Sequence, residues 1–87
     1  MAEAIKKREL AVRLAARMET DIGTAEAWID ATLDEMYQVF KSGKGITLTG
    51  FGGFYLDQRR HSTVFKFNPG EKLKALFGWS SNYKGNL

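Results

Sequence analysis

The spacing of apolar residues changes near Gly43, and this change constrains the fold more than any other feature of the sequence. Before Gly43, apolar residues recur every three or four positions, which is the period of an amphipathic helix. After it, apolar and polar residues alternate, which is the period of a half-buried strand. One segment cannot satisfy both periods. The sequence therefore predicts an α+β protein in which helices precede a sheet.

Two N-terminal helices are expected. The first covers about residues 3–19, with Leu10, Leu14 and Met18 on one face. The second covers about residues 24–42, with Thr24 as its N-cap. Its apolar positions cover more than one side of the helix, and they include Trp28, Ile29, Leu33, Met36 and Phe40. In a chain of 87 residues, a helix of this kind indicates that a second subunit covers part of it.

Three short alternating segments follow, at residues 45–50, 54–57 and 64–67. They predict a three-stranded antiparallel sheet whose second and third strands form a hairpin that turns near residues 61–63. Pro69 then opens a short C-terminal helix over residues 69–77, because proline suits the first helical position. We expect a single domain over residues 1–79 and a C-terminal tail over residues 80–87.

The glycine-rich stretch at residues 50–54 reads Gly-Phe-Gly-Gly-Phe. A phosphate-binding loop would be followed directly by a helix, and a dinucleotide motif would need glycine where Tyr55 stands. Strand patterns flank the stretch instead. It is therefore predicted to be a sharp turn between strands, from which Phe51 and Phe54 project into a core.

Catalytic and metal sites are not expected. His61 is the only histidine, and there is no cysteine, so a transition-metal cluster cannot be assembled from the usual ligands. Ser62, His61 and Asp57 are adjacent along the chain, but adjacency on one hairpin does not create a catalytic triad. We predict a non-enzymatic protein without a metal, cofactor or small-molecule substrate.

Charge is unevenly distributed along the chain. Residues 1–40 hold five lysines and arginines against eight acidic residues, whereas residues 41–87 hold eight against two. A cationic second half favours a polyanionic partner, although an ordinary solvated basic face remains an alternative. The main candidates for binding a nucleic acid are Arg59, Arg60 and Lys66, and the secondary candidates are His61, Lys44, Lys72 and Lys74. Consecutive cations at residues 59–61 repel one another unless an anion is close.

Two tryptophans allow a further interpretation. Trp28 lies at helical spacing beside Ile29, which favours a core or subunit interface over stacking on a base. For Trp79, in the C-terminal region, both interpretations stay open. No apolar run approaches the length of a membrane span, and the first ten residues lack the apolar segment of a signal peptide, so a cytoplasmic protein without a membrane partner is expected.

Several motifs together resemble one family. The segments "KRELAVRLA", "GFGGF" and "FNPGEKLK" are similar to the opening helix, the glycine turn and the last helix of the bacterial histone-like HU and integration host factor proteins. The resemblance implies an intertwined dimer, homodimeric or heterodimeric, that binds and bends double-stranded DNA in the nucleoid with little or modest sequence preference. It also implies a dimer core, for which the candidates are Trp28, Leu33, Phe40, Phe51, Phe54 and Phe67.

Departures from the family concern the DNA-binding arm. Only residues 57–66 separate Leu56 from Phe67, so the β-arm is truncated, and the hairpin lacks the proline that wedges between base steps in that family. Glu71 stands where the family has lysine. We therefore expect a dimer that contacts the duplex backbone through a basic saddle and a short hairpin, with weaker bending. The alternative is a dimer of the same fold that serves protein interaction or structure and has lost DNA binding.

Overall fold

A computed structural model of the protein describes residues 3–77. Its elements, in chain order, are helices α1 (Lys7–Met18) and α2 (Ile22–Lys41), strands β1 (Ile46–Leu48), β2 (Gly52–Gln58) and β3 (Thr63–Pro69), and helix α3 (Glu71–Phe77). This order confirms the predicted α+β class. Trp79 and the predicted tail lie outside the described residues. No described helix combines the length and apolar character that crossing a bilayer requires.

Two compact units make up the chain, Met1–Tyr37 and Gln38–Leu87. In the first unit the buried residues are small: Ala11 and Ala15 from α1 and Ala25 from α2, with Leu14 and Ile29 packed around them. Small side chains let two helix backbones approach closely. Ion pairs join the same helices, from Lys7 to Asp30 at 2.9 Å and from Arg8 to Glu26 at 3.0 Å. The hydrogen bond to Asp30 raises the pKa of Lys7.

Helix α1 is shorter than predicted, because it begins at Lys7 rather than near residue 3. Lys6 occupies the N-cap position with an extended backbone and provides no side-chain hydrogen bond to the helix. At the other end, Glu19 adopts the left-handed conformation, with φ of 53°, and its N–H donates to the carbonyl of Ala15. This geometry ends the helix where the sequence predicted a break.

Helix α2 begins at Ile22, so the prediction that Thr24 caps it was wrong. Asp21 is the cap: its Oδ1 accepts the backbone N–H of Thr24 at 2.7 Å, and its Oδ2 accepts the Thr24 hydroxyl at 3.0 Å. The hydrogen bonds from Thr24 lower the pKa of Asp21. Both residue types favour N-caps, and the carboxylate gains more from the positive end of the helix dipole.

The sheet has the order β1-β2-β3 with antiparallel pairing throughout. Phe54 pairs with Ile46 on one side and with Phe67 on the other, and Leu56 pairs with Phe65. Because paired residues point to the same face, these side chains form one apolar face. The rings of Phe54 and Phe67 are 4.8 Å apart.

The glycine stretch forms the predicted turn, although Phe51 is 47% exposed in the single chain and the second strand starts inside the turn. The N–H of Phe51 donates to the carbonyl of Leu48 at 2.9 Å, and Gly50 has φ of 90°, a conformation that suits glycine. Gly52 and Gly53 already belong to β2. A Cβ on Gly52 would lie 2.7 Å from the Phe67 ring, so close approach of that ring requires glycine. Because a strand follows the glycines, no phosphate-binding loop is formed here.

Pro69 ends β3 and does not open a helix, so this part of the prediction was wrong. It pairs with Gly52, and α3 begins only at Glu71, where the Gly70 carbonyl accepts the N–H of Lys74 at 3.0 Å. Strand β3 lies at an edge of the sheet, and an edge strand tolerates the missing N–H of proline.

Candidate nucleic-acid interface

The face of the sheet opposite the phenylalanines is polar. Alternation along β2 and β3 assigns Tyr55, Asp57, Val64 and Lys66 to this face, and Tyr55 pairs directly with Lys66 across the strands. The two strands are joined by residues 59–62, where the Arg59 N–H donates to the Ser62 carbonyl at 2.7 Å. The turn thus begins two residues earlier than predicted and ends one residue earlier. All four residues of the turn are exposed.

Asp57 brings two of the predicted DNA-binding residues together. Its Oδ2 lies 3.1 Å from the Lys66 ammonium and 3.3 Å from Nη2 of Arg59. The sequence argument that consecutive cations need a close anion therefore does not by itself indicate DNA, because Asp57 supplies an anion to Arg59. At 37% exposure for both Asp57 and Lys66, each pair contributes only about 0–1 kcal/mol. A phosphate can replace the carboxylate at small cost.

Arg60 and His61 occupy the outermost part of the hairpin. Within residues 3–77, no acidic side chain forms an ion pair with either of them. Asp57 is engaged by Lys66 and Arg59, and no hydrogen bond to His61 is present in the same part of the chain. The adjacent Ser62, His61 and Asp57 therefore have no triad geometry. Arg60 and His61 are exposed cationic or polar groups available to a partner.

The remaining basic candidates lie elsewhere in the second unit. Lys44 is exposed in the loop before β1, and Lys72 is exposed on α3. Lys74, also on α3, lies 3.7 Å from the Glu71 carboxylate. Glu71, which stands where the family has lysine, partly neutralises Lys74. These three lysines do not join the Asp57 cluster.

Next to the glycine turn, an open cleft of about 440 Å³ was not foreseen from the sequence. Its walls come from β1, the turn, the end of β3 and the start of α3, and they include Thr47, Gly53, Asn68, Glu71 and Lys74. The alternation of apolar and polar residues could have placed Thr47 and Asn68 on the polar face of the sheet. Their convergence depends on the strand register, which the sequence alone did not define.

The candidates for the dimer core are partly exposed in the single chain. Trp28 and Leu33, at 44% and 45% exposure, line an apolar groove of about 260 Å³ between α1 and α2, together with Leu10, Leu14 and Ile29. In the second unit, Phe40 lies against Phe54 and Phe65, while Phe51 and Phe67 remain partly exposed. Only three alanines are buried apolar residues within the described chain. Large apolar surfaces of this kind mark protein interaction sites.

Within residues 3–77, no group of three or more histidine, cysteine, aspartate or glutamate side chains is arranged to hold a metal ion. The polar side chains assigned to this sheet face include the Tyr55 hydroxyl, the Asp57 carboxylate and the Lys66 ammonium, with Arg59 of the turn bound to the same carboxylate. Such a set can bind anionic oxygen atoms by charge and hydrogen bonding.

Comparison with known proteins identifies relatives over most of the chain. Residues 5–76 match the family model described as "Bacterial DNA-binding protein". Integration host factor subunit alpha from Xanthomonas campestris pv. campestris (strain B100) is 29% identical, in an alignment that covers 82% of this chain and 88% of that protein. The corresponding subunit from Stenotrophomonas maltophilia (strain K279a) is 28% identical with the same coverage.

Solved structures show the same fold. A single-residue mutant of HU from Thermotoga maritima superimposes with a TM-score of 0.73 and 30% identity, covering 82% of this chain and 96% of that one. An Anabaena HU–DNA cocrystal structure superimposes with a TM-score of 0.70 and 22% identity, covering 80% and 94%.

Proposed function

Because the chain belongs to the bacterial DNA-binding protein family, we propose that it is a short-armed architectural protein that binds the backbone of duplex DNA as a dimer. The family, which includes HU and integration host factor, is non-enzymatic and nucleoid-associated, and its members bind DNA as dimers. Double-stranded DNA is thus the partner, and the bacterial cytoplasm with its nucleoid is the proposed location.

The observation that carries this proposal is the cationic hairpin. Arg59 and Arg60 lie in the turn, and Lys66 lies in the middle of β3 on the polar sheet face, where its ammonium and Arg59 share the Asp57 carboxylate. Their charges suit phosphate oxygens, which supply most of the non-specific affinity of DNA-binding proteins. The Anabaena HU cocrystal, whose fold is the same, was obtained with DNA. We assign the primary phosphate contacts to these three residues, and secondary contacts to His61, Lys44, Lys72 and Lys74.

Low sequence preference follows from the same surface. The main cations, Arg59, Arg60 and Lys66, are assigned to phosphates, and phosphate contacts carry no sequence information directly. The truncated hairpin extends only about 13–17 Å beyond Leu56. It has no proline at its tip to wedge between base steps. We therefore propose weaker bending than that of long-armed members.

Dimerisation is supported by the exposed apolar surfaces of both units. The groove beside Trp28 and Leu33 and the partly exposed rings of Phe51 and Phe67 need cover from a second copy or a close homologue. Phe40 and Phe54 are assigned to the same core. The choice between homodimer and heterodimer does not affect the DNA-binding proposal.

A second candidate function is a structural or protein-interaction dimer without DNA binding. Asp57 favours it, because the carboxylate partly neutralises Lys66 and Arg59, and Glu71 acts similarly on Lys74. The neutralising pairs are exposed and weak, however, and Arg60 and His61 have no such partner within residues 3–77. We therefore favour DNA binding.

Charge reversal at the hairpin tests the assignment. The double variant Arg59→Glu/Arg60→Glu should abolish the mobility shift of a duplex while the protein remains dimeric. Arg13→Glu/Arg17→Glu on α1 makes the same change in net charge and is the matched control, expected to keep most of the affinity. Equal losses in both variants would show that net charge alone, and not the hairpin, attracts DNA.

A further inference from the structure

Tyr55 is an unexplained aromatic residue on the polar face of the sheet. Phe54, Phe65 and Phe67 occupy the opposite face, so Tyr55 is the one aromatic side chain of the described strands that points away from them. It is 45% exposed. Its hydroxyl forms no hydrogen bond within residues 3–77. Neither burial nor polar bonding therefore accounts for an aromatic ring at this position.

The immediate neighbours leave the ring uncovered. Gly53, two residues earlier on the same strand face, has no side chain. Gly45 lies beside Tyr55 on the β1 side, and a Cβ there would be 3.3 Å from the Cα of Tyr55 and 2.5 Å from the carbonyl oxygen of Phe54. Backbone thus occupies both of these positions. Neither glycine has a side chain that could cover the ring, which is 45% exposed.

Charge and space on this face suit a nucleotide. Lys66 is the direct cross-strand partner of Tyr55, so a cation lies beside the ring. Over Gly53 the face continues into the open cleft of about 440 Å³, which provides room for a sugar and a neighbouring base. Aromatic rings next to cations are the usual platform for unstacked bases in single-stranded nucleic acid.

We propose that Tyr55 is a stacking site for an unpaired DNA base whose phosphate is bound by Lys66. The proposal rests on the proposed function, since it assigns a second binding mode to the same polar face. In a continuous duplex the bases are stacked on one another and the ring reaches none of their faces. Tyr55 therefore contributes only where a base is free, in a single strand or at a gap.

Binding of three labelled DNAs tests the site: an oligothymidine single strand, a duplex with a short gap, and a continuous duplex. Tyr55→Ala should weaken binding to the single strand and the gapped duplex by about fivefold to a hundredfold, and to the continuous duplex by less than about twofold. Tyr55→Phe keeps the aromatic ring and should therefore bind the single strand and the gapped duplex as tightly as the wild type does. Tyr37→Ala, which removes an exposed tyrosine from α2, is the matched control and should change none of the three.

The outcomes separate this proposal from the function on which it rests. If the wild type binds no duplex, the proposed function fails. If it binds duplex but Tyr55→Ala leaves the single-strand and gap affinities unchanged, or weakens all three DNAs equally, the stacking site is refuted. A loss confined to the gapped duplex would restrict the site to gaps and overturn its role on free single strands.

A measurement on the wild type covers the case of a variant that folds poorly. Ultraviolet crosslinking to an oligonucleotide containing bromodeoxyuridine should attach the label to the peptide that contains Tyr55. Attachment only to other peptides would contradict the proposal.

Discussion

Asp57 and Lys66 form an ion pair across β2 and β3, with 3.1 Å between Oδ2 and Nζ. The same carboxylate oxygen lies 3.3 Å from Arg59. A single acid therefore holds two of the three residues to which we assign primary phosphate contacts. If these cations bind phosphate as proposed, DNA must compete with Asp57 for them, and we expect the carboxylate to limit affinity.

Asp57→Asn tests this competition. The substitution removes a negative charge that repels phosphate and frees Lys66 and Arg59, so duplex affinity should rise by about threefold to tenfold at low salt. Asp34→Asn on α2 makes the same charge change at an exposed helical position and should raise affinity much less. A fall in affinity for Asp57→Asn would show instead that Asp57 positions the two cations for binding.

Gly52 should tolerate substitution far less than Gly53. A Cβ on Gly52 would lie 2.7 Å from both the Phe67 ring and the Asn68 carbonyl oxygen, whereas a Cβ on Gly53 has no neighbour closer than 3.9 Å. Gly52→Ala should lower the free energy of unfolding by about 1–3 kcal/mol, as overpacked cores do. Gly53→Ala should change it by less than about 1 kcal/mol. Urea denaturation measures both, and equal effects would mean that the Phe67 ring and the backbone at Asn68 both move to accept the added Cβ.

Asp21 should make the stability of α2 depend on acidic pH. Hydrogen bonds from Thr24 lower the pKa of the Asp21 carboxyl below its ordinary value of 3.8. A lowered folded-state pKa means that the charged form stabilises the fold. This contribution is complete above about pH 4–5 and is lost as the pH falls through the folded-state pKa.

Two variants isolate this effect in thermal unfolding. Asp21→Ala should lower the melting temperature at neutral pH and flatten its dependence on acid, because the cap is lost. Asp21→Asn should keep most of the stabilisation by the cap at neutral pH, and its melting temperature should also depend less on acid than that of the wild type. An unchanged melting temperature for Asp21→Ala would show that Thr24 or water satisfies the free N–H groups of α2.

Dimer formation should depend on Leu33. This side chain is 45% exposed in the single chain and lines the apolar groove of the first unit. Leu33→Asp should weaken dimerisation by at least about tenfold, because an apolar contact is lost and a charge would be buried. Gln38→Asp introduces the same charge at an exposed polar position of α2 and serves as the control.

Sedimentation equilibrium reads out the oligomeric state of both variants. The wild type should be dimeric, and its unfolding midpoint should rise with protein concentration, as expected for coupled folding and association. A monomeric wild type with a concentration-independent midpoint would contradict the dimer.

The order of the elements could be predicted from the sequence because each period is a local property. Leu10, Leu14 and Met18 repeat within one helix, and Ile46 and Leu48 alternate within one strand. Such patterns can be recognised without knowledge of tertiary contacts. The glycine turn was predictable for the same reason, since the residues that shape it are consecutive.

Element ends and side-chain partners were less predictable. Asp21 and Thr24 are both good cap residues, and only the geometry shows that the carboxylate accepts both Thr24 groups. Proline is compatible both with the first turn of a helix and with an edge strand. The pairing of Pro69 with Gly52 shows that it belongs to the strand. The ion pair of Asp57 with Lys66 depends on the register of two strands, which local sequence does not define.

The salt dependence of duplex binding tests the central claim most directly. Fluorescence anisotropy of a labelled duplex should show affinity that falls steeply between about 50 and 200 mM salt. With Arg59, Arg60 and Lys66 contributed by each of two protomers, the logarithm of the affinity should fall against the logarithm of salt with a slope of about −5. Absence of binding at the lowest salt, or an affinity that does not change with salt, would contradict backbone binding by the cationic hairpin.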